Sequence, residues 1–213
     1  PDRRLIALEV LGSLGSLAKD AVTTLAQLLS DPDATVRSDA AFALGGIGPD
    51  AAAAVPELKE LLDSTVEAFG HGEAVDDGQA DDDGQTHRPV LFTVAYALGR
   101  IGPAARDALP TLEKLAQSNH PLVATLGVWS ALQIDPGSEQ LRTRAVPLLT
   151  RALKDSHDLV RLEASIALGE IGQPSHEAIE MLEILADDDP VPTVRSAAAE
   201  ALQNLRRGSS GSL

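Results

Sequence analysis

Four arginines share one register. Arg4, Arg37, Arg161 and Arg195 each stand seven residues before a leucine, at Leu11, Leu44, Leu168 and Leu202. Guanidinium groups brought into a column could grip an anionic ligand through paired hydrogen bonds. The same spacing also suits a structural job, pairing with acids such as Asp39, Glu163 or the Asp of the preceding turn. That structural role is the expectation.

A second basic feature lies in Leu141–Lys154, which carries Arg142, Arg144, Arg151 and Lys154 and no acid. Against it stands the segment from Thr65 to His87, with Glu67, Glu73, Asp76, Asp77, Asp81, Asp82 and Asp83 and no Lys or Arg. A calcium loop needs acids at its first, third and fifth positions, Gly at the sixth and Glu at the twelfth. Setting Gly84 sixth makes the first position Gln79 and the twelfth Val90, so a solvated acidic loop is expected instead. Trp129 is the one tryptophan, and it falls where the other copies of its register hold Leu8, Ala41, Ala95, Ser165 and Ala199. It reads as filling space left by Gly127 rather than as a binding anchor.

The composition narrows the chemistry further. The chain has 213 residues, 44% of them apolar but only 2% aromatic, and it has no cysteine. Thiolate metal sites, cysteine nucleophiles and disulfides are therefore excluded. An Ala- and Leu-rich interior suits closely packed helices. No apolar run reaches the roughly 18 residues of a membrane span. The formal net charge is −15, which argues against phosphate-backbone binding and against anionic membrane surfaces, because both rely on Lys and Arg. The start, "PDRRLIALEV", has neither Met nor an apolar signal region. A fragment of a longer polypeptide is expected; the compartment is left open, cytoplasmic if the chain is complete.

What positions these residues is a repeat. Leu-Gly-x-(Leu/Ile)-Gly occurs at Leu11–Gly15, Leu44–Gly48, Leu98–Gly102 and Leu168–Gly172, with degenerate copies at Leu132 and Leu202. The intervals are 33, 54, 34, 36 and 34 residues, and the long one holds the acidic insertion. In the four full copies a leucine follows the last Gly by ten residues: Leu25, Leu58, Leu112 and Leu182. Each unit reads as two helices. The first has apolar residues at helical spacing, as in Val36, Ala40, Ala43, Leu44 and Ile47. It ends on Gly48, Gly102 or Gly172, where a left-handed cap meets no Cβ clash. Pro49 and Pro103 then stop the helix, and Pro56, Pro110 and Pro147 fall near the start of the second helix or separate a short leading turn from it.

Two helices per 33 to 36 residues bury a face only by stacking on neighbours. The stretch "DPDATVRSDAAFALGGIGPDAAAAVPELKELL" resembles a HEAT repeat of the short bacterial type grouped with the phycobilisome-lyase HEAT-like units, through its Asp-x-x-Val-Arg entry, Ala-rich first helix and Gly-x-Gly-Pro turn. The resemblance implies an armadillo-like, all-α, right-handed superhelix of about five helix pairs plus one terminal helix. The solenoid would span residues 1–207, in repeats 1–31, 32–64, 88–119, 120–156, 157–189 and 190–207. The acidic loop would take 65–87 and a flexible tail 208–213.

The resemblance also implies that second helices line the concave binding face. The candidate contact residues are Glu60, Asp63, Lys114, Arg144, Arg151 and Lys154, together with loop residues Asp76, Asp77, Asp81, Asp82 and Asp83. Among HEAT-like enzymes, deoxyhypusine hydroxylase builds a di-iron site from several His-Glu pairs. Only His176-Glu177 matches here; Lys19-Asp20, Ala52-Ala53 and Arg106-Asp107 hold the equivalent positions. A DNA-glycosylase-like groove would need a basic, aromatic face, which this chain lacks. The expectation is a non-catalytic scaffold without cofactor or metal. It would bind another protein, or a neighbouring domain of its own polypeptide, through a basic patch on that partner. The alternatives are an accessory or regulatory module of a larger enzyme and a bilin-lyase-like enzyme.

Overall fold

The computed structural model describes residues 3–70 and 90–210. Among them every regular element is a helix. The α-helices are α1 (Arg3–Leu14), α2 (Val22–Leu28), α3 (Ala34–Ile47), α4 (Val55–Gly70), α5 (Val90–Ile101), α6 (Leu109–Leu115), α7 (Pro121–Ile134), α8 (Glu139–Ala152), α9 (Asp158–Ile171), α10 (His176–Asp188) and α11 (Pro192–Ser210). They form five pairs and a terminal first helix, as the period requires. The chain divides into two compact units, one through Lys114 together with Gln133–Asp135, the other Leu115–Leu132 and Pro136 onward.

The recurrent leucines are the core. Leu25, Leu44, Leu58, Leu98, Leu112, Leu168 and Leu182 are fully buried, and Leu149 takes the second-helix place in the fourth pair. Each removes its side chain from water, worth about 2 kcal/mol. At two of these contacts first helices approach so closely that the residue after the key leucine has little room for a side chain. A Cβ on Gly45 would sit 3.1 Å from the Ala97 Cα, and one on Gly169 would sit 2.7 Å from the Ala201 Cα.

Several boundaries differ from the sequence expectation. Helix α4 continues to Gly70, so residues 65–70, read as the start of the acidic loop, are helical. Val66 and Ala68 there are half-buried, continuing the apolar stripe of Leu58 and Leu62. Asp76, Asp77, Asp81, Asp82 and Asp83 lie outside the described residues. Helix α11 runs through Ser210, so the segment read as a tail from residue 208 begins as helix.

Gly48, Gly102 and Gly172 do adopt positive φ, but only Gly172 is shown as an αL cap (φ 74°, ψ −1°). Gly48, at φ 73° and ψ −138°, turns the chain the other way, into a seven-residue 3₁₀ segment, Gly48–Ala54, that leads into α4. Gly15–Ala21 and Gly102–Ala108 do the same before α2 and α6. The fourth and fifth pairs lack this lead-in and use serine caps: the Ser138 hydroxyl accepts the Leu141 amide and Ser175 the Ala178 amide. Pro147 sits inside continuous α8 rather than at its start.

Candidate functional site

The second helices carry the candidate surface, and one register divides them. The buried row is Leu25, Leu58, Leu112, Leu149 and Leu182. Two residues further along each helix the side chain is exposed: Gln27, Glu60, Lys114, Arg151 and Ile184. One row keeps a single residue type while the other changes from neutral to acidic, basic and apolar.

The predicted contact residues separate on inspection. Glu60 and Lys114 are exposed on α4 and α6. Asp63 is already engaged within the stack. It is half-buried, accepting from Lys59 Nζ at 2.6 Å and, across to the next pair, from Thr111 Oγ1 at 2.6 Å. Burial opposes the Asp63 charge, but the Lys59 and Thr111 hydrogen bonds outweigh it and hold the carboxyl below its ordinary value. Asp63 is therefore a tie between α4 and α6.

The basic segment thins in the same way. Arg142 donates to Glu139 Oε2 at 2.9 Å, the Pro136 carbonyl at 2.8 Å and Gln173 Oε1 at 3.3 Å, which binds it to its own turn and the next. Lys154 Nζ reaches Glu177 Oε1 at 2.7 Å, an exposed pair of small energetic weight. Arg144 and Arg151 remain on the exposed face of α8. On neighbouring α10 the exposed residues are strongly acidic: Glu177, Glu180, Glu183, Asp187 and Asp188 surround Ile184, which is 52% exposed.

The arginine register resolves as a structural device. Arg37 Nη1 donates to the Asp31 carbonyl at 2.7 Å and the Pro32 carbonyl at 3.0 Å. Arg161 Nη1 donates to the Asp155 carbonyl at 2.9 Å and the Ser156 carbonyl at 3.0 Å, and Arg195 Nη1 to the Asp189 carbonyl at 2.6 Å. Each arginine thus closes the turn six residues before it. Each of those aspartates also accepts a backbone amide two residues on, at Asp33, His157 and Val191. Where the sequence suggested pairing with the acid of the preceding turn, the acceptors there are backbone carbonyls instead. Arg161 adds a second contact forward, to the Asp189 side chain of the next turn. The side chain of Arg4 lies outside the described set.

Trp129 is 8% exposed and its indole N–H donates to Glu170 on α9 at 2.5 Å. It is core, as expected. No group of three or more His, Asp or Glu among the described residues could hold a metal ion, and no described helix is long and apolar enough to cross a membrane. Sequence reasoning missed the Asp63–Thr111 tie. It also missed Ser138 and Ser175, for which a serine three residues before a helical leucine or alanine amide was the available signal.

Helix pairs with a buried leucine in each second helix, several of their turns closed by arginine, make a helical-repeat scaffold suited to protein binding. The sequence profile of the HEAT repeats matches residues 1–74 and 130–203, and the chain belongs to the HEAT-repeat family. It is similar in fold to a chain in the complex of CpcE and CpcF of phycocyanin lyase from Nostoc sp. PCC7120, at 22% identity over 93% of this chain and 70% of that one, with a TM-score of 0.60. An engineered protein is similar at 22% identity over 94% of this chain and 90% of its own, TM-score 0.54. No curated protein matches the chain.

Proposed function

We propose that this protein is a non-catalytic scaffold that binds another protein along the exposed side of its second helices. The observation that carries the reading is the split register: one buried position of each second helix keeps leucine, while Gln27, Glu60, Lys114, Arg151 and Ile184 vary two residues away. Stacking demands the first row and places no demand on the second, so the second is where recognition can be written. The partner surface is basic. The chain carries a net charge of −15, and α10 offers five exposed acids around an exposed apolar side chain. Long-range attraction would steer the encounter over a Debye length of about 8–10 Å, and Ile184 would supply contact area.

The test is affinity capture with the immobilised chain at low and high salt, comparing wild type with Glu180→Lys/Ile184→Asp on α10. Capture that falls with salt and is lost in the double variant supports the reading. Capture indifferent to both overturns the assignment of α10 and of a basic partner. Turnover of any captured small molecule would overturn the non-catalytic part.

A further inference from the structure

Helix α9 is packed on two sides and still shows large apolar side chains to solvent. Trp129 of α7 donates to its Glu170, and Ala201 of α11 lies against its Gly169. Between these contacts runs a stripe of Leu159, Glu163, Ile166 and Glu170, all exposed, with Leu159 at 47% and Ile166 at 39%. On α3 the corresponding stripe is Thr35, Asp39, Phe42 and Gly46, which is half-buried, and the Phe42 ring stacks on Tyr96 of α5 with centroids 5.7 Å apart. Contacts between first helices therefore use other faces of α9 and leave this stripe open.

The stripe has a seven-residue period. Leu159 and Ile166 are seven apart, as are Glu163 and Glu170, a step of about 10 Å along the helix axis. With Leu159 and Ile166 at heptad position a, half-buried Leu162 stands at d and the two glutamates at e. In a pair of helices, a and d pack against the partner while charges at e select it. The next d position, Gly169, is already taken by Ala201, so the pattern covers about three turns. The charge around it has one sign. Pro121–Ile134 of α7 contains no charged residue, α11 adds exposed Glu200, and Arg161 is turned to Asp189 and to its own turn. Glu163 is exposed along its side chain, yet the protein around its carboxyl, and after that the charge of Glu170, push it above its ordinary 4.5. A cation brought to the stripe favours the charged form against both.

We propose that this stripe of α9 docks an amphipathic helix of another protein, one that carries Lys or Arg opposite Glu163 and Glu170. Leu159, Leu162 and Ile166 supply the apolar contact, and the glutamates set the sign of the partner. A second copy does not fit, because α9 set against α9 would bring the same glutamates face to face on a chain of net charge −15. The surface lies on a first helix, apart from the acids of α10, and stands whether or not α10 binds a partner.

The test titrates the whole chain into a fluorescent peptide of about three heptads, with Leu at a and d and Lys at e and g, and reads anisotropy. Binding should saturate and weaken as salt rises. A scrambled peptide of the same composition, and one with Glu at e and g, should each bind at least about tenfold more weakly. Glu163→Lys and the double variant Leu159→Ser/Ile166→Ser change exposed side chains and should keep the wild-type circular dichroism melt. Each should lower affinity for the Lys peptide by about tenfold or more. Glu180→Lys/Ile184→Asp on α10 should bind it like wild type. A chain that ignores the Lys peptide, or takes the scrambled one equally well, overturns the proposal. So does binding that survives both α9 variants or is lost in the α10 variant. The α10 variant separates the two surfaces, so failure on α9 leaves the reading of α10 to its own test.

Discussion

Arg161 and Asp189 form a two-pronged ion pair between successive repeats. Nε donates to Oδ2 at 2.7 Å and Nη2 to Oδ1 at 3.1 Å, with the side chains 11% and 2% exposed. The same aspartate accepts the Val191 amide, and its carbonyl accepts from Arg195. One residue thus ties α9, its own turn and α11 together. Replacing Asp189 by Ala leaves the Arg161 guanidinium buried without its partner, so a loss of about 3 kcal/mol is expected in urea unfolding. Asp189→Asn, which keeps an acceptor for Val191, should lose less.

The pair also makes stability pH-dependent. The Arg161 hydrogen bonds, against the opposing effect of burial, hold the Asp189 carboxyl below its ordinary 3.8. A carboxyl depressed in the folded state contributes fully above its unfolded value, and that contribution is lost as pH falls through the folded one. Melting temperature should therefore drop below about pH 4, and Asp189→Asn should flatten that part of the curve relative to wild type. Parallel acid limbs for the two proteins would remove Asp189 as the cause.

Gly169 should not tolerate even a methyl group. Alanine ordinarily gains about 1 kcal/mol over glycine within a helix. Here its Cβ would lie 2.7 Å from the Ala201 Cα, so α9 and α11 must separate. Overpacking of this kind costs about 1–3 kcal/mol, and Gly169→Ala should emerge destabilised by thermal melting. An exposed control such as Gln203→Ala should change little.

Trp129 offers a direct optical reading of its environment. Its burial and its bond to Glu170 predict blue-shifted emission that moves to the red on unfolding. Trp129→Phe keeps most of the volume but loses the indole hydrogen bond to Glu170, costing about 1 kcal/mol. Glu170→Gln should leave the folded emission maximum in place, since the ring stays buried.

The two glycine turns should respond unequally to alanine. Gly172 is αL, a region that alanine enters at a cost of about 1 kcal/mol. Gly48, at φ 73° and ψ −138°, lies close to a region essentially reserved for glycine, where the cost is about 1–3 kcal/mol. Gly48→Ala should therefore lower stability more than Gly172→Ala, and Gly172→Asn should be nearly neutral.

The fold was open to reading because a repeat states its packing rule several times. Leu44, Leu98 and Leu168 recur with Ala on one side and Gly on the other, and stacking alone accounts for that pattern. The arginine register was legible for the same reason, since Asp31, Asp155 and Asp189 stand six residues before Arg37, Arg161 and Arg195. The limits lay where the period gave no help. The 3₁₀ lead-ins and the serine caps at Ser138 and Ser175 are two solutions to one problem, starting the second helix, and the hydrophobic pattern is the same for both. Asp63 looked like any exposed acid of α4, because its partner Thr111 is 48 residues away. The end of α4 was obscured by composition, since Thr65 to Gly70 adjoins an acidic run although Val66 continues the helical stripe.

A helix held by few contacts should be the first to fray. The terminal α11 lies against α9 through the Gly169–Ala201 contact and is clasped at its first turn by Asp189 and Arg195. Its amides should accordingly exchange with solvent at rates close to those of α9, as one cooperative segment rather than as a loosely attached last turn. The two helices then open together, and the amides of neither report the loosening of the other alone.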